Sequence, residues 1–190
     1  ELIKKQMFNI SKEISSARKL SKSKIQIGIE SAFKNLALKN SKIDFNLTES
    51  DEFNKNGINN IEVLYRPSEQ SSPKLLSKIA SGGEKSRILF ALKSILSKKI
   101  DLPTLVFDEI DSGTSGEIAN AIGKMMKIMG KKIQIIAITH LPQVASLADY
   151  HYKVFKIEGE KNISTNIKKL DKSSRIKEIA SMISGENITE

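Results

Sequence analysis

The segment that decides the fold reads TLVFDEID and runs from Thr104 to Asp111. Pro103 precedes it, and the flexible stretch SGTSG follows at residues 112–116. A continuous apolar run of this kind is typical of a central strand in a parallel sheet that is covered on both faces. Ligands of such sheets bind just beyond the carboxyl ends of the strands. The carboxylates that end this segment therefore mark a candidate functional site.

Asp108 and Glu109 are neighbours in this segment, so an extended backbone points them to opposite sides. The sequence therefore predicts two different tasks, one facing a metal ion and the other facing a water molecule or a second ligand. The simpler interpretation is that acids after a strand cap the next helix. That interpretation is the commoner one for a single acid and the weaker one for a cluster that also includes Asp111.

A second buried strand is predicted by the sequence IQIIAITH, residues 133–140. The helix expected between the two strands has one apolar stripe, formed by Ile118, Ile122, Met125 and Met129. Strand–helix–strand crossovers commonly place successive strands side by side. His140 is therefore expected at the same sheet edge as Asp108 and Glu109, although a lone histidine after a strand is usually a turn residue. His151 lacks such neighbours and is interpreted as structural.

Residues 81–84 read SGGE and enter another predicted helix. Ser81 followed three residues later by Glu84 forms a capping box, which needs no ligand. A capping box does not call for Gly82 and Gly83, because each glycine there costs up to about 1 kcal/mol relative to alanine. Glycines allow another group to approach the backbone, and the free N–H groups of a helix start attract phosphate. We therefore favour an anion site over a simple cap.

The first forty residues predict a helical segment. Its apolar residues form a short heptad seam at alternating steps of four and three: Ile3, Met7, Ile10, Ile14 and Ala17. The seam is shorter than a coiled coil requires, so one amphipathic helix lying on a core is an equal alternative. Alternating apolar residues from Ile43 to Tyr65 then predict a hairpin with a long loop. Residues 154–157 and 163–167 are predicted edge strands.

The composition narrows the possible functions of this 190-residue chain. It has no cysteine, which excludes disulfides and thiolate metal sites, and it contains no apolar run that predicts a membrane span. It begins with Glu1 rather than Met, which suggests a piece of a longer protein. The net charge of +9 suggests an acidic partner such as nucleic acid. Because lysine supplies most of that charge and phosphate-reading surfaces usually use arginine as well, DNA binding is favoured only slightly.

Four segments together resemble the motifs of ABC-type ATPases. Residues 81–84 resemble the signature motif, and residues 104–109 resemble the Walker B strand with its catalytic glutamate. Residues 110–113 resemble the D-loop, and Thr139-His140 resembles the switch histidine. The matching order makes the resemblance specific. Within that superfamily, residues 56–190 resemble the RecN family of bacterial DNA repair proteins, which are relatives of the SMC proteins, through strings such as IASGGEKSR, FDEIDSGTSG and THLPQVA.

The resemblance implies an α/β fold, namely the C-terminal lobe of an ABC/SMC-type ATPase head with a mostly parallel sheet and flanking helices. Residues 1–40 would form the base of a coiled-coil arm, and residues 41–190 would form the lobe. The family's phosphate loop, G-x-x-x-x-G-K-[ST], does not occur in this sequence, nor does its Q-loop. We therefore expect half of a split head, inactive without the N-terminal half that carries the phosphate loop.

The resemblance also implies a role for each site residue. Two heads would form a homodimer around two ATP molecules. Asp108 would hold Mg²⁺ through water, Glu109 would orient or deprotonate the attacking water, and His140 would contact the γ-phosphate. Asp111 would lie across the dimer seam. The partner head's γ-phosphate would be capped by the signature residues Ser81, Gly82, Gly83 and Glu84.

The implied biological role is repair of DNA double-strand breaks, in the cytoplasm at the nucleoid, with DNA as a partner and no membrane. Two alternatives remain. An ABC transporter nucleotide-binding domain shares every motif, but it would have a helical subdomain before the signature, where this sequence predicts a hairpin. A non-catalytic module that only dimerises or binds DNA would tolerate the loss of Glu109, whereas an ATPase would not.

Overall fold

A computed structural model describes residues 1–79, 82–97, 99–100, 102–108, 110, 113–158 and 163–185. The predictions made for Ser81, Glu109 and Asp111 therefore lie outside the described residues. The chain divides into two compact units, Glu1–Ile100 and Asp101–Glu190.

The first unit combines two long helices with a three-stranded antiparallel sheet in the order β1-β2-β3. Its elements are α1 (Leu2–Phe33), β1 (Lys42–Asn54), β2 (Gly57–Arg66), β3 (Lys74–Leu75), a 3₁₀ turn (Leu76–Lys78) and α2 (Gly82–Leu96).

The predicted hairpin is present in the first unit, but its predicted long loop is wrong. Asn54 pairs directly with Gly57, so only two residues connect β1 to β2. Gly57 has φ +101°, in the left-handed region that favours glycine. The polar part of β1 is a strand because side chains of α1 pair with its charged residue. Both Lys12 and Lys19 donate hydrogen bonds to the carboxylate of Glu49.

The second half of α1 packs on this sheet and the first half leaves its apolar seam exposed. Ile29 and Phe33 are buried, and the ring of Phe33 meets that of Tyr65 edge-to-face at 6.4 Å between centroids. Ile3, Met7 and Ile10 are exposed. The alternative that this seam lies on a core is therefore wrong for these three residues.

The second unit begins with a strand–helix–strand crossover and ends with a hairpin and a helix. Its elements are β4 (Thr104–Asp108), α3 (Gly116–Met129), β5 (Gln134–Ile138), α4 (Pro142–Ala145), β6 (Tyr152–Glu158), β7 (Ile163–Lys169) and α5 (Lys172–Ser184). β4 and β5 pair in parallel, as the sequence predicts, and β6 pairs with β7 antiparallel. The expectation of a mostly parallel sheet is wrong for the described residues, because among them only β4 and β5 pair in parallel and the other strand pairs are antiparallel.

The prediction that these parallel strands are covered on both faces is wrong for the described residues. Phe107 is buried, whereas Val106, Ile136 and Ile138 on the opposite face are 50%, 46% and 53% exposed. An apolar run reflects what covers a strand in the complete fold. The residues described here supply a cover for one face only.

Close packing of α3 against α4 fixes the far side of the crossover. Gly123 lies within α3, and a Cβ at this position would stand 2.8 Å from Leu147 Cδ1 and 3.4 Å from the Gln143 carbonyl oxygen. A side chain here would push the segment around α4 away. The loop that carries His140 is therefore held in place by its neighbours along the chain.

Candidate functional site

The carboxyl edge of the β4–β5 pair brings two predicted site residues to the same end of the sheet. Asp108 pairs in register with Ile138, the last residue of β5, and His140 follows two residues later. Both Asp108 and His140 are exposed. The crossover argument thus placed them correctly, since parallel strands end at the same edge.

The turn after β5 is ordered by local hydrogen bonds on both sides of α4. The Thr139 hydroxyl accepts a hydrogen bond from the Leu141 N–H at 3.0 Å. At the other end of α4, the Arg175 guanidinium donates to the carbonyl oxygens of Ala145, Ser146 and Ala148. These bonds satisfy the carbonyls that a helix end leaves free. The segment next to His140 is therefore fixed independently of any ligand.

His151 is partly buried and lies within the electrostatic influence of the same arginine. Burial lowers its pKa, and the positive charge of Arg175 lowers it further. Its Nδ1 is buried without a hydrogen-bond partner among the described residues. A neutral imidazole is the form such surroundings favour, in keeping with a structural residue.

Asp108 is the described residue that fits a magnesium site. Mg²⁺ prefers hard oxygen ligands and is commonly held by one or two carboxylates together with water and substrate phosphates. The exposed carboxylate at the end of β4 offers such an oxygen. In the described part of the chain, three or more potential metal ligands are nowhere clustered. A single exposed carboxylate of this kind suits a metal that is also held by water and substrate phosphates.

The signature segment lies in the first unit, at the start of α2. Gly82 and Gly83 are the first two residues of the helix, and Glu84 lies in its first turn. A Cβ built at Gly82 would meet nothing within 4 Å. The described residues therefore do not require glycine there, and the helix start is open to another group.

Tyr65 responds to charged groups of this helix. Its pKa is raised, first by burial and then by the negative charge of Glu84, while its hydrogen bond with Ser41 and the charge of Arg87 act in the opposite direction. The Tyr65 and Ser41 hydroxyls are 2.9 Å apart. Charged groups in the first two turns of α2 therefore act electrostatically on the Tyr65 hydroxyl.

A polar seam joins α1 to the β1–β2 hairpin, and the sequence analysis missed it. We define the polar seam as Ser15, Arg18, Glu49 and Asn59 together with Lys12 and Lys19. Arg18 donates to Asn59 Oδ1 at 3.0 Å and to the Asn56 carbonyl at 2.8 Å. Asn59 in turn donates to Ser15 Oγ at 3.0 Å, and Ser15 donates to Glu49 at 3.1 Å.

The polar seam strongly perturbs one carboxyl group. Hydrogen bonds from Lys12, Lys19 and Ser15 lower the pKa of Glu49 to about 2. The sequence did carry a signal for this interface. Residues 11, 15 and 18 follow helical spacing and share one face, and Ser11 and Ser15 are both buried. A search for apolar stripes does not detect a polar stripe of this kind.

The chain is similar to known DNA repair proteins over nearly its whole length. The chain is 37% identical over 183 residues to the DNA repair protein RecN of Rickettsia bellii, covering 96% of this chain and 33% of that protein. It is 32% identical to RecN of Haemophilus influenzae, covering 97% of this chain and 33% of that protein. The predicted resemblance to RecN is confirmed. The chain spans about a third of the length of these relatives. No protein-family model matches it.

Solved structures support the fold. An SMC head domain with a coiled coil and joint from Pyrococcus yayanosii has a TM-score of 0.65 at 19% identity, covering 82% of this chain and 28% of that chain. A chain from work on ATP-driven dimerisation and DNA-stimulated activation of SMC ATPases has a TM-score of 0.59 at 17% identity, covering 92% of this chain and 99% of that one. The predicted α/β fold of an SMC-type ATPase head is confirmed. None of the helices in the described residues has the length and apolar character to cross a membrane.

Proposed function

We propose that this chain is the C-terminal half of an ATP-hydrolysing, SMC-like head that dimerises around ATP and acts in DNA double-strand-break repair. The parallel β4–β5 pair carries the proposal, because it brings Asp108 and His140 to one exposed sheet edge. That edge is where ligands of parallel sheets bind. The similarity to RecN supplies the biological setting.

The proposed chemistry assigns one task to each group at this edge. Asp108 holds Mg²⁺, which neutralises phosphate charge when bound. Glu109, the next residue, orients the attacking water and accepts its proton. His140 contacts the γ-phosphate from the neighbouring strand end. We assign the two acids different partners because neighbouring residues of an extended segment point to opposite sides.

The start of α2 is proposed to act on the ATP of a second head. Gly82, Gly83 and Glu84 begin the helix, and Ser81 precedes them in the sequence. The free N–H groups and the dipole of a helix start attract phosphate. The open space around Gly82 supports this role, because nothing in the described chain occupies it. Asp111 is proposed to lie across the seam of the same homodimer.

The N-terminal half of the head is the proposed partner of the β4–β5 pair. A parallel pair normally has both faces covered, yet Val106, Ile136 and Ile138 are about half exposed in this chain. The sequence has no phosphate loop of its own. We propose that the half carrying this loop packs on the exposed face and completes the ATP site, so that the chain alone is inactive.

Residues 1–40 are proposed to form the base of a coiled-coil arm, and residues 41–190 the lobe. The exposed seam at Ile3, Met7 and Ile10 supports this division, because a second helix would cover those side chains. The setting that fits RecN is the cytoplasm, with DNA as a partner at the nucleoid.

Replacing Glu109 by glutamine tests the assignment in a head reconstituted with the N-terminal half. The substitution keeps the shape and removes the basic carboxylate, so ATP turnover should fall by at least about 10²-fold while ATP binding persists. Glu117→Gln, the same change in the first turn of α3, is the matched control and should retain turnover. Near-normal turnover of the Glu109 variant would favour the alternative of a non-catalytic dimerisation or DNA-binding module.

Replacing Ser81 by arginine separates ATP binding from dimerisation. A bulky side chain at a γ-phosphate contact would hold two heads apart, whereas loss of a simple cap costs only about 1 kcal/mol of stability. Light scattering of the reconstituted Glu109→Gln head with ATP should show monomers for Ser81→Arg. Ser72→Arg, in the exposed connection before β3, should still dimerise. An ATP-dependent dimer of the Ser81 variant would mean that Ser81 is only a cap.

The alternative of a transporter nucleotide-binding domain makes a different demand on the region before the signature. Such a domain would place a helical subdomain there, and this chain has the β1–β2 hairpin instead. We therefore retain the SMC-like head as the proposal.

A further inference from the structure

The β6–β7 hairpin has one face that is exposed along its described length. Residues directly opposite each other in the antiparallel register share a face. We call this surface the outer hairpin face and define it by Tyr152, Val154, Lys156, Thr165, Ile167 and Lys169. All six are exposed, and Tyr152, Val154 and Ile167 are 52%, 64% and 70% accessible.

The other face of the hairpin is covered only at its centre. Phe155 and Asn166, which are paired there, are partly exposed, and Ile157 on the same face is 49% exposed. Lys153 on this face forms an ion pair with Glu178 of α5. The hairpin is thus tied to its own unit through this face, and the outer hairpin face is the more accessible of the two.

Tyr150 extends the outer hairpin face beyond the start of β6. The Lys169 ammonium lies 4.3 Å from the centroid of the Tyr150 ring, and the ring is 67% exposed. The chain has three tyrosines, and the third, Tyr65, is buried in the first unit. Both exposed tyrosines therefore lie on the same surface. A large ring that is exposed gains little free energy from packing.

The described side chains of this surface carry a positive charge. Among them, no carboxylate forms an ion pair with Lys156 or Lys169. Glu158 lies two residues after Lys156 in β6, and the acids that precede and follow the hairpin are engaged elsewhere. Asp149 pairs with Lys127. Asp171 caps α5 by accepting from the Ser174 N–H. The outer hairpin face therefore offers two cations and two aromatic rings to an acidic ligand.

We propose that the outer hairpin face binds single-stranded nucleic acid, with bases stacked on Tyr152 and Tyr150 and phosphates paired with Lys156 and Lys169. Surfaces that bind single strands combine aromatic stacking platforms with a basic path for the backbone, and an exposed antiparallel sheet face is one way to build them. From Tyr152 to Lys156 the strand extends roughly 13 Å, which accommodates two or three nucleotides. The choice of DNA over RNA rests on the proposed repair function.

Other occupants fit this surface less well. The bases of a duplex are already stacked on each other, so the exposed rings of Tyr150 and Tyr152 would gain nothing from it. A protein interface is depleted of lysine at its centre, whereas Lys169 lies against the ring of Tyr150 on this surface. The single-strand proposal uses both the rings and the cations.

The test is binding of a fluorescently labelled oligo-dT of about twenty nucleotides to the 190-residue chain, without ATP, followed by anisotropy at several salt concentrations. Tyr152→Leu keeps an apolar side chain and removes the stacking ring, so the Kd should rise about tenfold. The double variant Lys156→Gln/Lys169→Gln should lower the slope of log K against log salt by about 1.4. Lys172→Gln/Lys177→Gln on α5 removes the same charge outside the face and should leave tyrosine-dependent binding intact.

A second measurement uses the unmodified chain. It contains no tryptophan, so its emission reports tyrosine, and stacking of oligo-dT on Tyr150 and Tyr152 should quench that emission. Oligo-dT binding with no quenching and no effect of Tyr152→Leu would overturn the proposal. So would tighter binding of a duplex that the tyrosine variant does not weaken. Circular dichroism checks that each variant is folded, and the readout without ATP keeps this test separate from the ATPase proposal.

Discussion

Two of the three sheets in the described residues are completed in different ways. In the first unit, the β1–β2 hairpin is held to α1 by the polar seam, in which Arg18, Asn59, Ser15 and Glu49 form a continuous chain of hydrogen bonds. In the second unit, the parallel β4–β5 pair leaves Val106, Ile136 and Ile138 about half exposed. The sheet of the first unit is covered by a helix of the same unit. The β4–β5 pair has one face that the described residues leave uncovered.

This difference separates what is local from what depends on a partner. The hairpin and α1 satisfy each other's polar groups, so the contacts that complete the first sheet come from the first unit itself. A two-stranded parallel sheet with one bare face buries less apolar surface than one covered on both faces. We infer that the second unit gains most from the proposed N-terminal half, and the predictions below are directed at that contrast.

The largest expected effect is on the amide protons of β4 and β5 when the N-terminal half is added. A covered face and new strand neighbours should slow their exchange on the order of 10²-fold, since local opening then costs about 2.7 kcal/mol more. Exchange in β1 and β2 should change little. Hydrogen exchange followed by mass spectrometry measures both regions in one experiment. Equal protection of both regions would remove the contrast between the two sheets.

Breaking the polar seam should destabilise the first unit by about 2 kcal/mol. Arg18→Ala removes the donors to the Asn59 side chain and the Asn56 carbonyl and leaves the buried Asn59 oxygen without its partner. Urea unfolding followed by circular dichroism gives the free energy of unfolding. A change below about 0.5 kcal/mol, the level of an ordinary surface substitution, would show that the seam is not a structural clamp.

The pH dependence of stability should distinguish the two units. The folded pKa of His151 lies below its ordinary value of 6.5, so the unfolded state binds its proton first. Stability of the second unit should then decline as the pH falls below about 6.5. The pKa of Glu49 is also lowered, from 4.5 to about 2. The contribution of Glu49 to the stability of the first unit should therefore be lost as the pH falls from 4.5 to about 2.

Variants assign the two pH windows. His151→Gln should flatten the decline that begins near neutral pH, and Glu49→Gln should flatten the acidic one. Amide signals of β6 and β1 in nuclear magnetic resonance spectra report each unit during unfolding. A single shared pH profile that neither variant alters would contradict the assignment.

The smallest effect is expected for an ion pair outside the polar seam. Lys22 and Asp44 are 2.7 Å apart and both largely accessible, and such pairs contribute between about 0 and 1 kcal/mol. Lys22→Ala is therefore the matched control for Arg18→Ala in the same helix. A loss as large as that of Arg18→Ala would mean that helix charge, and not the buried hydrogen bonds, holds the hairpin.

Much of the second unit was predictable because its signals are local. The apolar run ending at Asp108, the helix stripe of α3 and the strand before His140 each specify an element, and the crossover rule then places the two strand ends together. The hairpin turn at Asn54 and Gly57 was misjudged, because polar residues in β1 look like a loop until α1 supplies their partners.

The remaining features depend on contacts that the sequence pattern does not encode. The partners of Arg18 lie about forty residues away along the chain, and no periodicity in α1 reveals them. The exposed face of β4–β5 was missed for the opposite reason. Its apolar residues are those of a covered strand, and we propose that the N-terminal half supplies the cover that the described residues lack.

The most direct test of the central claim is ATP turnover by the chain with and without the N-terminal half that carries the phosphate loop. Each half alone should show no turnover above background, and the mixture should hydrolyse ATP, because the phosphate loop and the Asp108–His140 edge are then present together. A mixture containing Glu109→Gln provides the background rate. Turnover by the purified 190-residue chain alone, with contaminants excluded, would contradict the account, and so would an inactive mixture in which both halves are folded and bound to each other.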